Sequence, residues 1–425
     1  MTDRIGYYEE KWETESPDAR EARQVAWLRE TVQYAYAHCE SVKEKMDEAG
    51  VGPDAIRAIQ DLEKIPITPK RDLVRLNKEK GPFGGFLGVD MSDLKRVYIS
   101  PGPIYDPHGR EDDAFSLQPL FYNAGFRKGD RVINTFSYHL TPAGIFCDEA
   151  INALGCVLIP TGVGNTEVQL KTMLDLKANG YIGVPSFLMS LIKKAEEAGY
   201  DFNRDFSMEV AFVAGEILPD SMRKTLEETY HIIVRQGLIT ADIGGISYEC
   251  PERNGMHYSE HRIVEIVDPQ TGKQVGPGEI GEIVVTPLRH KTYPIIRFGT
   301  GDLSYYEDDP CPCGRTSRRM MRIVGRVDQV TKVRGMFIHP SQVQEVAKAF
   351  EQISRVRVRV DREGESDLMW FDIELSEGAS GTDVLKSQIE EKIREVLKLR
   401  GDVVFVAKGT IPEDAKTIED VRKWE

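Results

Sequence analysis

Apolar residues recur at helical spacing from Ala19 to Gly50, with Val25, Leu28, Val32 and Ala35 on one stripe, and Gly50 and Pro53 end the run. This predicts a helical N-terminal segment. Beyond it the period switches repeatedly between strand and helix. "RVINTFSY" reads as a buried strand, "GIFCDEAINALG" as a helix stopped by Gly155, and "CVLIPTG" as another short apolar run. "GYIGVPSFLMSLIKKAEEAG", "MEVAFVAGE", "PDSMRKTLEETY" and "IIVRQGL" keep the same beat. Such alternation needs crossover connections and therefore a mostly parallel sheet, whose ligands sit beyond the carboxyl ends of its strands. The segments Ser137 to Gly144, Pro160 to Thr166, Val184 to Phe187, Gly215 to Pro219 and Gly237 to Gly245 are expected at those ends.

From "HRIVEIVDPQTGKQVGPGEIGEIVVTPL" onward, Gly and Pro punctuate hairpins, which predicts an antiparallel subdomain. After "IVGRVDQV" the pattern changes once more. A helix is expected over Pro340 to Phe350, strands at "SRVRVRVDR" and "LMWFDIEL", an amphipathic helix over Val384 to Lys398 and a last strand at "VVFVA". The expected architecture is α/β, with a large N-terminal domain over 1–326 and a small α+β domain over 327–425.

Composition narrows the function. With 425 residues, 40% hydrophobic and 29% charged, the chain has the balance of a globular enzyme, and no apolar run approaches the roughly 18 residues of a membrane span. The net charge of -14 argues against nucleic-acid and membrane-surface roles. The polar start "MTDRIGYYEEKWETE" has no signal-peptide pattern, so a cytoplasmic location is expected.

Four residues carry metal chemistry: Cys250 and His257 in "ECPERNGMH", Cys311 and Cys313 in "DPCPCGR". Three thiols and an imidazole in turn-rich segments suit a closed, structural zinc site. The other reading is four unrelated residues. Cys39, Cys147 and Cys156 fall in apolar patterns and read as small buried side chains, and His38, His231 and His290 carry no motif. In "PIIRFGTGDL" an Arg on a strand precedes a Gly-rich turn ending at Asp302, an arrangement able to grip paired hydroxyls. "YISPGPIYDPHG", at the end of a strand-like run, has the look of a phosphate loop with altered residues ahead of a helix.

Taken in order, "LEKIPITPKRDL", "PTGVGNTEVQL", "AGEILPDSMRKTLEE", "YECPERNGMH", "YPIIRFGTGDL", "CPCGR", "GRVDQVTKVRGMFIHPSQVQEV" and the late Lys416 resemble the adenylate-forming enzymes, and within them the phenylacetate-coenzyme A ligase family. The resemblance spans almost the whole chain. It implies an AMP-forming ligase that adenylates a carboxylic acid, aryl or arylacetic, with ATP and passes the acyl group to coenzyme A. Mg2+ and a structural Zn2+ come with it, and a homodimer is a family expectation.

The same resemblance assigns residues. Asp302 would hold the ribose, Arg326 would approach the nucleotide, Asp328 would be the hinge, and Lys416 would bridge the acid and the α-phosphate. Gly215 and Glu216 fall at the adenine-pocket wall, and Arg334 and Gly335 would meet coenzyme A. Gly237 and Thr240 lie in the nucleotide motif. Phe136, Tyr138, Pro185 and Phe187 would line an apolar acid pocket, with His139 or Asn165 as polar handles. Cys250, His257, Cys311 and Cys313 match the family's metal-type positions.

Two stretches depart from the family. "SPGPIYDPHGRED" lacks the hydroxyl-rich loop and its lysine, leaving Ser100, Gly102 and Arg110 to meet phosphate. "QGLITADIGG" puts Thr240 where relatives carry a magnesium-facing Glu, with Asp242 two residues on. A transferase that handles a preformed acyl-coenzyme A, or a non-catalytic binding relative, are the alternatives these departures leave open.

Overall fold

The computed structural model describes residues 4–100, 104–111, 116–327, 331–333, 336–338, 340–363, 366–413 and 415–422. The chain divides into two compact units, one of Met1–Thr300 with Ser304–Arg322, the other of Gly301–Leu303 with Ile323–Glu425. No described helix is long and apolar enough to cross a membrane.

After a single helical turn at Glu10–Glu13, the first unit has α1 (Pro17–His38) and α2 (Glu40–Glu48). Ser16 starts α1 by accepting the Ala19 N–H, with Pro17 in the first turn where its missing donor costs nothing. After α3 (Lys70–Glu79) come β1 (Arg96–Ser100) and β2 (Ile104–His108). The alternating segment follows: α4 (Gln118–Ala124), β3 (Arg131–Asn134), α5 (Ala143–Ala153), β4 (Val157–Pro160), α6 (Thr166–Asp175), β5 (Gly180–Gly183), α7 (Pro185–Glu197) and β6 (Val210–Val213).

Next are α8 (Asp220–Lys224), β7 (Ile233–Thr240), β8 (Gly244–Glu249), β9 (Met256–Tyr258), β10 (Arg262–Val267), β11 (Gly281–Pro287), β12 (Phe298–Ser304), β13 (Tyr306–Glu307) and β14 (Arg319–Met320). One sheet runs β13-β14-β9-β8-β7-β6-β5-β3-β4. Its β4, β3, β5, β6 and β7 are mutually parallel, and β7, β8, β9, β14 and β13 pair antiparallel. The change of sense occurs on β7 itself. Its residues Ile233 to Gln236 pair parallel with β6, and Gly237 to Thr240 pair antiparallel with β8 across a register shift.

Period-2 alternation gives this sheet two apolar faces. On β6, Val210 and Phe212 enter one core with Leu120, Phe121 and Phe146, whereas Ala211 and Val213 enter another with Leu170, Leu188 and Ile192. Thus α4 and α5 cover one face, and α6 and α7 the other, the doubly covered arrangement expected of parallel strands. A second sheet contains β10, β11, β12 and the short Thr68–Pro69 strand, with β15 (Gly325–Arg326) paired to β12 at Asp302↔Arg326 and Leu303↔Gly325.

In the second unit, β16 (Thr331–Val333) and β17 (Met336–Ile338) form a hairpin. Then come α9 (Pro340–Lys348), β18 (Ile353–Glu363), β19 (Ser366–Leu375), α10 (Asp383–Leu397), β20 (Asp402–Val406) and β21 (Ile418–Asp420). The order β20-β19-β18-β21 leaves the final strand parallel to β18, a strand the alternation analysis does not reveal because it has only three residues. Val343, Ile389 and Ile393 from the helices pack on Val358, Val360 and Phe371.

One stretch is corrected. "YISPGPIYDPHG" is not a loop leading into a helix: β1 and β2 pair from Arg96↔His108 to Ser100↔Ile104, leaving residues 101–103 to connect them, and the next helix begins at Gln118. Two-stranded pairing leaves each strand an outer edge, where the donor missing from Pro107 is tolerated.

Candidate active site and metal cluster

Phe136, Tyr138, His139, Asn165, Pro185, Phe187, Gly215 and Glu216 follow the carboxyl ends of the parallel strands β3, β4, β5 and β6. Asn134, last in β3, donates from Nδ2 to the Tyr138 hydroxyl at 2.9 Å and to the Gly144 carbonyl at 2.9 Å. This fixes the turn that carries Phe136 and Tyr138. A Cβ on Gly162 would meet the Tyr138 ring at 3.7 Å, so the β4 loop lies against the same turn. Burial raises the Tyr138 phenol, with the nearby Asp148 charge adding to the effect. His139 and Asn165 are exposed, and Asn165 has φ of 51°.

At the end of β5, Tyr181 donates to the Val184 carbonyl at 2.9 Å, one residue before Pro185 begins α7. Phe187 is half-buried against the α6–α7 core. A Cβ on Gly215 would stand 3.6 Å from Val184, and the Glu216 charge acts on the Tyr181 phenol, so the β5 and β6 ends are neighbours. Gly237 has a packing role: a Cβ there would lie 2.7 Å from the Phe212 ring and 2.8 Å from the Ser247 carbonyl. Thr240 ends β7 and accepts the Ile243 N–H at 3.4 Å.

The two departures meet in space. Ser100 is 3% exposed on the inner face of the β1–β2 hairpin, beside Asp106. Burial and the charge of Asp242 push Asp106 up to about 7. Asp242 is itself buried and accepts from Lys70 Nζ at 2.7 Å. Arg110 is exposed. Asp106, Lys70 and the buried Tyr293 are absent from the sequence-derived set; their one signal is the period-2 placement of Asp106 and His108 on β2.

In the second unit Asp302 and Arg326 face one another across the β12–β15 pairing, and Arg326 Nη1 donates to Asp302 Oδ1 at 2.7 Å. Lys416 is exposed in the turn before β21. Gly102, Asp328, Arg334 and Gly335 lie outside the described residues.

The four metal-type residues converge. Their ligand atoms all lie within 4.8 Å of one another. Cys250 Sγ is 3.8 Å from Cys311 Sγ, and Cys313 Sγ is 3.4 Å from His257 Nε2. Two thiolates each about 2.3 Å from a tetrahedral zinc stand ~3.8 Å apart, and a thiolate and an imidazole nitrogen about 3.5 Å apart. The observed edges fit that tetrahedron. His257 Nδ1 donates to the Ser317 carbonyl at 3.1 Å, which leaves Nε2 directed inward as a ligand requires. Hydrogen bonds from Cys250 and then His257 hold the Cys313 thiol down, and the same contact with Cys313 pushes the Cys250 thiol up. The donor set fits zinc.

An "AMP-binding enzyme C-terminal domain" model matches residues 335–422. A phenylacetate-coenzyme A ligase from Thermus thermophilus is 30% identical over 419 residues, 95% of this chain and 93% of that protein. The chain belongs to the phenylacetate-coenzyme A ligase family. A second member, from Escherichia coli, is 30% identical over 94% of both chains. Among solved structures, an open conformation of 2-hydroxyisobutyryl-CoA ligase, in complex with 2-HIB-AMP and CoA, has the same fold: TM-score 0.88 at 24% identity, over 99% of this chain and 95% of that one. The same ligase in its postadenylation state gives 0.74 at 25% identity, covering 99% and 93%.

Proposed function

We propose that this chain is an AMP-forming acid–thiol ligase that adenylates a carboxylic acid, of the aryl or arylacetic class, and transfers the acyl group to coenzyme A. A carboxylate oxygen attacks the α-phosphorus of ATP and the bond to pyrophosphate breaks. The coenzyme A thiol then loses its proton and attacks the acyl carbon, and AMP leaves. The observation that carries this reading is the match to such ligases along nearly the full length of both chains.

In this reading Asp302, held by Arg326, accepts hydrogen bonds from the ribose hydroxyls. Lys416 places its ammonium between the acid and the α-phosphate, countering charge that grows as the two meet. Phe136, Tyr138, Pro185 and Phe187 give the acid an aromatic and apolar wall, with His139 or Asn165 at its polar end, while Gly215 and Glu216 border the adenine. Mg2+ accompanies the triphosphate. Zinc on Cys250, His257, Cys311 and Cys313 fills every position with protein ligands and serves structure.

The altered residues of "SPGPIYDPHGRED" are the ground for one competitor, a relative that handles acyl-coenzyme A without ATP. ATP–pyrophosphate exchange across a panel of aromatic and aliphatic acids separates the two. Acid-dependent exchange is expected; its absence across the panel, with coenzyme A still bound, would replace the ligase reading by the competitor.

A further inference from the structure

Where the β1–β2 hairpin meets the β7–β8 turn, the first unit buries two carboxylates with one cation between them. Lys70 Nζ takes Asp242 Oδ2 at 2.7 Å, and it is the only ion-pair partner of either acid among the described residues. Asp106 and Asp242 are each 2% exposed. Both Asp106 oxygens and Asp242 Oδ1 have no hydrogen-bond partner among the described residues.

Two hydroxyls near the pair are in the same condition. Ser100, 3% exposed, lies against Asp106 on the hairpin's inner face, and its Oγ has no partner among the described residues. Tyr293 is 0% exposed, feels the charges of both Asp242 and Asp106, and its hydroxyl is likewise unpartnered among the described residues. Buried polar atoms are ordinarily satisfied, and here the orphans are all oxygens, gathered around an excess of negative charge. All-oxygen ligation with two carboxylates is the preference of a hard divalent cation, not of a soft or nitrogen-seeking one. Lys70, the most exposed member with 28% of its side chain accessible, marks the route in.

We propose that Ser100, Asp106, Asp242 and Tyr293 form a divalent-cation site belonging to the protein itself, occupied without any nucleotide. The ion joins the hairpin, the β7–β8 turn and the segment ahead of β12, three parts of the unit distant in sequence. Binding displaces the proton that the crowded carboxyl pair retains. Occupancy is read without ATP, so its success or failure is decided apart from the ligase reading.

Titration of nucleotide-free, chelator-treated full-length protein with Mn2+, followed by electron paramagnetic resonance, tests this. One Mn2+ per chain is expected to bind, with affinity falling at least tenfold in Asp106→Asn and in Asp242→Asn and more modestly in the milder Ser100→Ala. At a hundred times the parent's dissociation constant, Mn2+ should raise the melting temperature by about 4 °C in the parent and by no more than about 2 °C in Asp106→Asn. If the pair only shares a proton, Asp106→Asn will raise the metal-free melting temperature and Mn2+ will move neither protein. That outcome, or binding unchanged by Ser100→Ala together with either Asp variant, overturns the proposal.

Discussion

Glu13→Gln removes one charge from a sealed ion pair, and its cost can be reasoned atom by atom. Glu13 and Arg315 side chains are each 2% exposed, with Arg315 Nε donating to Glu13 Oε2 at 2.8 Å. Glu13 Oε1 accepts the Tyr8 and Glu9 N–H groups at 2.7 and 2.8 Å, and Oε2 also accepts from Asn123 Nδ2 at 3.2 Å. A glutamine has one acceptor oxygen. Turned to Arg315, it aims its amino group at the two N–H donors; turned the other way, it opposes the guanidinium. Either leaves a buried charge uncompensated or two donors facing each other. Breaking such a pair costs about 3–5 kcal/mol. For a unit this large that corresponds to a fall of roughly 4–8 °C in its melting temperature. Thermal unfolding followed by circular dichroism measures it, with the exposed Glu10→Gln expected to stay within about 0.5 kcal/mol. Because the Arg315 N–H donates to Cys313 Sγ at 3.5 Å, zinc retention should fall as well. A loss below ~1 kcal/mol would refute the reasoning.

Metal analysis of carefully purified protein should find close to one zinc per chain, and Cys311→Ala should lose both the metal and thermal stability; intact stability in that variant counts against the cluster. Lys416→Ala should slow acid-dependent ATP–pyrophosphate exchange about 10²–10³-fold while sparing thioester formation from a preformed acyl-adenylate, and equal loss in both steps contradicts its assigned role. Burial lowers the His290 imidazole from 6.5 to about 4. The unfolded chain therefore takes up a proton near 6.5 that the folded one refuses, and stability falls as pH drops from about 6.5 toward 4, at up to about 1.4 kcal/mol per pH unit from this group. His290→Gln should flatten that part of the stability–pH curve, and an unchanged slope would show that other groups set it.

Much of the fold is legible because its signals are local. Periodicities of 3.6 and 2 identify the helices and parallel strands, and Ser16 with Pro17 marks a helix start by capping chemistry. The cysteine and histidine cluster is legible because three thiols in turns have few other uses in one chain. The β1–β2 hairpin is not, since a Pro- and Gly-rich segment reads as a loop until its pairing partner is known. Asp106 and Asp242 escape for a further reason: residues 136 positions apart become neighbours only through sheet topology, and burial, which turns two ordinary acids into an anomaly, is invisible in composition. Gly237 shows the reverse case. Motif position marks it for nucleotide, while the close approach of Phe212 and Ser247 already explains why no side chain fits.

Because β7 is shared by both halves of the large sheet, those halves have no seam. A fragment ending near Thr240 would carry one strand with a full row of unsatisfied amides and carbonyls along its newly bared flank, an invitation to aggregation. Chimeras within this family should therefore exchange strands β3 through β14 as one block.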